Sequence, residues 1–204
     1  HPVDRRQRQM CIRDSRRLEH LSRASEELRT LHLSMEAQLI EWVGLFLPSA
    51  RFETNRGSVA GRLSEVASLT EFATALEVDD AHEQPTPSEW KALHGWAVMV
   101  ANQRRQLDQL EHAIRVSAQA HLPSVSTLVG PLLAARLCVE AHGRLRLARL
   151  PSGTVQVLGA EKAFFNHLRN GSAPPKHGHI FMHPWISRSP CLLYTSDAAD
   201  DQLG

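Results

Sequence analysis

Two runs of apolar residues, spaced alternately three and four apart, constrain this chain more than any other feature. Leu18, Leu21, Ser25, Leu28, His32, Met35, Leu39, Trp42 and Phe46 follow that spacing in order. It is the a/d pattern that lays one stripe along a helix for a partner helix to cover. Pro48 ends the run, because it has no amide hydrogen to donate and restricts the residue before it. The second run is Leu93, Trp96, Val100, Gln103, Leu107, Leu110 and Ile114. It opens on Thr86-Pro87-Ser88-Glu89: a threonine cap, a proline in the first helical position and a glutamate that reaches back. Between the runs, residues 49–85 predict a turn region at Gly57 and Gly61, a short helix over 62–76 and an acidic loop over 77–83. A spacer of that length lets the two seams fold back as an antiparallel coiled-coil hairpin. Ser25, His32 and Gln103 at seam positions weaken a dry interface and can fix its register. An ordinary helical bundle has the same periodicity. Seam residues left uncovered by the hairpin would favour a homodimer.

The two ends carry a different signal. Met10–Asp14 and Cys191–Ser196 can be encoded by DNA strings that are reverse complements over nearly their whole length, and the relation extends outward through Arg5–Arg8 and Asp197–Asp201. That DNA also resembles a transposase adapter sequence. Nothing in protein chemistry makes two segments antisense partners, so residues 1–15 and 191–204 are expected to be adapter-derived and foreign to the fold. On this reading the protein's own sequence runs from Arg16 to Pro190 and is truncated at its C-terminal end.

Of the three cysteines, Cys11 and Cys191 fall in those ends, which leaves Cys138, flanked by Leu137 and Val139, as a packed core thiol. One thiol forms no internal disulfide, as suits a reducing compartment. No apolar run approaches the roughly 20 residues of a bilayer span, so no membrane partner is expected. Charge is unevenly placed. Residues 16–120 carry 11 lysines and arginines against 15 carboxylates, whereas 121–190 carry eight against two, with six histidines besides. The basic half is the candidate for a polyanion, and a merely solvated basic surface has the same composition.

From His121 the chain becomes a series of short helices punctuated by proline and glycine. Ser152-Gly153 after Pro151 predicts a helix start rather than a nucleophile. Gly159 can open a helix that runs to Asn170-Gly171, a favoured C-terminal cap pair. On it Lys162, Asn166 and Arg169 fall at i, i+4 and i+7 as one polar stripe, with Phe164, Phe165 and Leu168 as the packed apolar side. Such a stripe can follow a phosphate backbone, since lysine and arginine gain affinity by displacing condensed counterions. The stretch Ala173-Pro174-Pro175-Lys176-His177-Gly178 is stiffened by its prolines and can present a lysine and a flat imidazole to a splayed nucleotide.

The segments Leu128-Val129-Gly130, Ala134-Ala135-Arg136-Leu137, Leu150-Pro151-Ser152, Gly159-Ala160-Glu161-Lys162-Ala163, Pro175-Lys176-His177-Gly178, Ile180-Phe181 and His183-Pro184 occur in an order that resembles the Nop domain of the archaeal box C/D guide-RNA core protein. The long helices upstream, Trp42 included, resemble the family's coiled coil more loosely. The resemblance implies an all-α protein. A coiled-coil region over 16–118, with its insert at 49–85, precedes a compact helical Nop domain over 119–190. It implies a non-catalytic scaffold of an RNA-guided 2′-O-methylation particle. That scaffold recognises kink-turn RNA together with a small kink-turn-binding protein, and through an N-terminal region outside this segment it holds a fibrillarin-type methyltransferase. Lys162, Arg169, Lys176 and His177 are then the RNA-side candidates, and Glu161 and Asn166 the candidates for the protein partner. Asn166 stands where relatives are expected to have arginine, Asn170 where threonine is usual and Met182 where glutamine is common, and the first removes one charge from the stripe. The location implied is cytoplasmic in an archaeon and nucleolar in a eukaryote.

Other chemistries are poorly served. There is no phosphate-cradling glycine loop, nucleophile elbow or His-Glu-x-x-His helix, and no cofactor is implied. His177, His179, His183 and Cys191 suggest zinc, but Cys191 lies in an adapter-like end and alternating histidines on an extended segment point to opposite faces. No metal is expected. The alternative readings are a spliceosomal type that binds a small nuclear RNA, and a helical protein–protein adaptor without RNA affinity.

Overall fold

Thr86 opens the second long helix with the reciprocal hydrogen bonds its sequence predicts. The Glu89 amide donates to the Thr86 hydroxyl (3.3 Å), and the Glu89 carboxylate accepts from the Thr86 amide (2.8 Å) and hydroxyl (2.7 Å). The hydroxyl bond, and then the amide bond, hold that carboxyl below the usual range. Thr86→Ala should cost about 1 kcal/mol, read in thermal circular dichroism as a fall in Tm of about 2–4 °C.

The computed structural model describes residues 2–52, 55–78 and 83–188, with side chains from residue 9 onward. The helices in chain order are α1 (Pro2–Phe46), α2 (Arg56–Glu65), α3 (Leu69–Ala75), α4 (Pro87–His121), α5 (Pro123–Val129), α6 (Pro131–Glu140), α7 (Arg144–Leu147), α8 (Ser152–Val157), α9 (Glu161–Asn170) and α10 (Pro184–Ser187), with a 3-10 turn over His179–Met182. No strand occurs among the described residues, and no helix among them is long and apolar enough to cross a membrane. Proline sits in the first turn of α5, α6 and α10, where its missing amide hydrogen costs nothing.

The chain divides into two units, 24–110 and 1–23 with 111–204. In the first, α1 and α4 run antiparallel: the Trp96 indole N–H donates to the Met35 carbonyl (3.1 Å) and the Gln103 amide to the Met35 sulfur (2.9 Å). Leu39, Val43 and Leu47 share one core with Leu93, Ala97 and Val100. α2 and α3 complete it with Val59, Leu63, Leu69 and Phe72, and Trp42, Trp90 and Trp96 pack half-buried at its edge.

Coverage on more than one side shifts the alternate row of the α1 seam, and the α4 seam at one position. The residues expected one heptad apart are interior: Leu18, Ser25, His32 and Leu39 on α1, and Leu93, Val100, Leu107 and Ile114 on α4. The alternate seam positions fall one residue later than expected. Ser22, Glu36 and Val43 are buried, while Leu21, Leu28, Met35 and Trp42 are half-exposed; Phe46, one heptad after Leu39, is half-exposed as well, and Leu47 is buried in its place. On α4, Ala97 takes the place given to Trp96. A face covered by two neighbours is wider than a two-helix seam, so its centre moves from the i+3 row toward i+4. The shift brings in a carboxylate, and Glu36 is met by the Arg56 guanidinium at 3.0 Å.

Two further expectations for the insert are corrected. The single helix over 62–76 is two helices. The first ends at Glu65, where Val66 turns extended, and Ser68 caps the next, accepting from the Glu71 amide (3.2 Å) while Glu71 accepts from the Ala67 amide (2.8 Å). Gly57 and Gly61 lie inside α2 rather than at a turn, held helical by the burial of Val59, Ala60 and Leu63. Residues 79–82 of the expected acidic loop lie outside the described residues.

In the other unit α6 is the central element. Ala134, Ala135 and Cys138 join Leu18, Ile114, Ala118 and Leu122 in one cluster, and Leu133, Leu137 and Ala141 join Leu158 in a second. A helix buried on both sides is apolar nearly all round, as this one is. Burial pushes the Cys138 thiol above its ordinary value, which suits the core role. In the first part of α1, Cys11 is buried and the Ser15 hydroxyl lies 2.8 Å from His121 Nε2. Stepping back from Leu18 by three and then four reaches Ser15 and Cys11, so the helical period alone places them on the covered face.

Candidate nucleic-acid interface

Helix α9 ends where Gly171 takes a left-handed conformation (φ +64°) and its amide donates to the His167 carbonyl (2.9 Å), the terminus that Asn170-Gly171 predicts. It begins two residues after Gly159 (φ +87°), whose amide donates to the Glu161 carboxylate (2.9 Å). At 100° per residue, Lys162, Asn166 and Arg169 share one face, and Glu161, Phe165 and Leu168 the face beside it. All six are exposed. The packed apolar side expected for Phe164, Phe165 and Leu168 is therefore corrected: they are 42%, 65% and 65% exposed, and α9 turns His167 inward, its Nδ1 on the Ser172 carbonyl. Spacing specifies an apolar face but not what covers it.

The proline-rich stretch is anchored on the end of α8. The Gly178 amide donates to the Gln156 carbonyl and the His179 amide to the Leu158 carbonyl, both at 2.8 Å, which satisfies acceptors a short helix leaves open. The Gln156 side-chain amide donates to the Lys176 carbonyl (2.9 Å) and lies 3.5 Å from His177 Nδ1. Lys176 is left exposed and His177 half-buried. Partial burial, and then the neighbouring Lys176 ammonium, hold the His177 imidazole below its ordinary value. The ring stacks on Phe181 (6.2 Å, 13°), so it offers a flat face and a hydrogen-bonding edge.

Glycine makes the approach of loop to helix possible. A Cβ on Gly178 would lie 1.9 Å from the Leu158 carbonyl oxygen, and one on Gly159 2.3 Å from the His179 ring. The loop and the start of α9 are thereby joined, with Lys162 one residue into the helix beside them and Arg169 two turns along. Asn166 stands between the two cations on the same face, so the stripe is continuous in shape but interrupted in charge.

The three histidines of the zinc reading go to separate partners: His177 to Gln156 and Phe181, His179 to Glu140 (3.3 Å) and His183 to the Trp185 amide (3.3 Å). No trio of histidine, cysteine or carboxylate among the described residues gathers in a way that could hold a metal ion. The stretch over 179–182 is a 3-10 turn rather than the extended segment expected. Sequence reasoning gave no site role to Trp185, Phe181 and Met182, which are 71%, 54% and 56% exposed beside the loop. Their signal was the run Ile180-Phe181-Met182 followed by His183-Pro184-Trp185, with too few apolar residues at a helical period to bury it.

Short helices that present a cationic stripe, exposed rings and a glycine-fitted basic loop define a helical binding module. The chain belongs to the Nop family: the family model described as "snoRNA binding domain, fibrillarin" matches residues 33–193. It is similar to an uncharacterized NOP5 family protein of Methanocaldococcus jannaschii, 31% identical over 79% of this chain and 43% of that protein. It is also similar to nucleolar protein 58 of Schizosaccharomyces pombe (41% identical over 41% of this chain and 17% of the relative) and to human nucleolar protein 56 (45% over 33% and 11%). The chain thus spans less than half the length of each of these three relatives.

Proposed function

We propose that this chain is the RNA-binding part of a non-catalytic scaffold in a box C/D-type RNA-guided 2′-O-methylation particle. It binds kink-turn RNA jointly with a small kink-turn-binding protein. The observation that carries this is the exposed cationic side of α9, Lys162 and Arg169, joined through Gly159 and Gly178 to the loop that presents Lys176 and His177. It stands in a chain whose family model is described as binding snoRNA. Lysine and arginine at the end of flexible stems suit phosphates, and a stacked imidazole suits an unpaired base. Glu161, beside the bare Phe165 and Leu168, faces the small protein, and Asn166 meets it from the neighbouring face, between the two cations. An RNA surface and an apolar surface lying edge to edge on one helix fit a composite target better than either alone. Parts of the longer family proteins that this chain does not span hold the fibrillarin-type methyltransferase, and the coiled coil pairs two copies. The location that follows is nucleolar in a eukaryote and cytoplasmic in an archaeon.

The test is the electrophoretic mobility of kink-turn RNA with and without its small protein. A shift by this chain only when both are present supports the composite surface. An equal shift with any RNA reduces the interaction to charge, and no shift favours a protein–protein adaptor, to which the exposed Phe164, Phe165 and Trp185 are suited. Lys176→Ala with Arg169→Ala should weaken the ternary complex about tenfold and lower the slope of log K against log salt by about two, one for each phosphate no longer neutralised. An unchanged slope removes both residues from the RNA side.

A further inference from the structure

The stretch from His177 to Met182 is held from behind by two side chains of α6, neither of which belongs to the interface described above. His179 Nε2 lies 3.3 Å from Glu140 Oε1. One turn earlier on the same helix, the Arg136 guanidinium donates to the Met182 sulfur at 2.8 Å. The His179 backbone amide is fixed on the Leu158 carbonyl, and its ring fills the space a Cβ on Gly159 would need. One imidazole therefore meets α6, the end of α8 and the turn that launches α9. Lys176 and His177 lie three and two residues before it, and Lys162 three residues after Gly159.

We infer that Glu140 is a positioning residue for RNA recognition, acting through His179 to hold the Lys176–His177 loop and the start of α9 in one binding arrangement. The inference rests on the RNA-binding reading above. Its chemistry is specific, because a carboxylate attracts imidazolium by charge and a neutral imidazole only by an ordinary hydrogen bond, and imidazole is the side chain that changes charge between about pH 5 and 8. The clasp is therefore tighter when the imidazole carries a proton.

The charged and titratable neighbours are few. α6 offers Arg136 and Glu140, while α8 and α10 have no titratable side chain. Glu161 at the start of α9 is engaged by the Gly159 amide. Lys176, His177 and His183 lie on the same stretch as His179, and Arg188 follows α10. Of these, Glu140 is the carboxylate placed on the His179 ring.

The test is a double-mutant cycle on the whole chain. It is read by fluorescence anisotropy of kink-turn RNA loaded with its small binding protein, at about pH 6 and about pH 8. Glu140→Gln keeps the shape and removes the charge, and His179→Gln removes the imidazole. At the lower pH each single change should weaken binding about threefold, the double change should be no worse than either alone, and at the higher pH the Glu140→Gln effect should shrink toward none. Other histidines, His177 among them, also alter binding with pH, but they do not enter the coupling between these two positions. Effects that multiply at both pH values, or full affinity for Glu140→Gln at the lower one, overturn the inference while Lys176→Ala with Arg169→Ala still weakens binding. If that last pair has no effect either, the RNA reading itself fails, and the inference with it.

Discussion

Phe72→Ala should cost about 3–5 kcal/mol, against a typical total of about 5–15 for a whole domain. The ring is fully buried in α3 and lies parallel to Phe52 with centroids 6.5 Å apart. Leu39, Val43, Leu63, Leu69 and Leu93 of the same core are also at or below 1% exposed, so no solvated side chain can swing in to refill the space. The cost combines the transfer energy of the missing ring with the cavity left behind. Urea unfolding should show a lower midpoint with an unchanged m-value, the mark of reduced stability rather than of an altered denatured state. Gly61→Ala supplies the opposite sign within the same unit. It lies inside α2 with nothing within 4 Å of the added Cβ, so it should gain about 0.5–1 kcal/mol by reducing the freedom of the unfolded chain. A loss below about 1 kcal/mol for Phe72→Ala would mean that α3 does not close this core.

How much of this was legible in the sequence depends on whether the deciding contact is local. The Thr86 cap, Pro87 and the Gly171 stop are written within four residues of where they act, and each appears as read. Ser68-Leu69-Thr70-Glu71 is the same kind of capping signal and was equally available, but an apolar run on both sides of it looked like one helix. The heptad spacing was legible and its phase was not. Which of two adjacent rows faces inward depends on how many helices cover α1, and that is a property of the insert rather than of α1. Glu36 thus lies inside, where a seam drawn from apolar residues alone would never put it.

The candidate site divides along the same line. Lys162, Arg169 and Lys176 are exposed as their pattern requires, since a cation without a partner stays in water. The apolar rings of α9 follow a helical period that specifies only a face. Glu140 and His179 are 39 residues apart, and no local rule connects them. Their pairing needs the α8 anchor to bring the 3-10 turn onto α6, and that anchor needs a residue without a side chain at 178.

Gly178→Ala tests that dependence most directly. The added Cβ would lie 1.9 Å from the Leu158 carbonyl oxygen and 2.7 Å from the Val157 carbonyl carbon. Both are backbone atoms at the end of a helix, so no rotamer change relieves the overlap and the loop itself must move away. Doing so breaks the hydrogen bonds from the amides of 178 and 179 to Gln156 and Leu158. The combined cost of the forced shift and the two bonds is about 2–4 kcal/mol. Hydrogen exchange should show both amides losing protection. RNA affinity should fall at least as far as with Lys176→Ala and Arg169→Ala together, although no cation has been removed. The slope of log K against log salt should fall as well, because a displaced lysine no longer neutralises a phosphate. Gly171→Ala separates this from a general intolerance of side chains near α9. Its Cβ would meet nothing within 4 Å, so its cost is only the left-handed backbone, about 1 kcal/mol, with the salt slope unchanged. Full affinity for Gly178→Ala with both amides still protected would show that the loop does not depend on this close approach. The placing of Lys176 and His177 against α9 would then have no structural support.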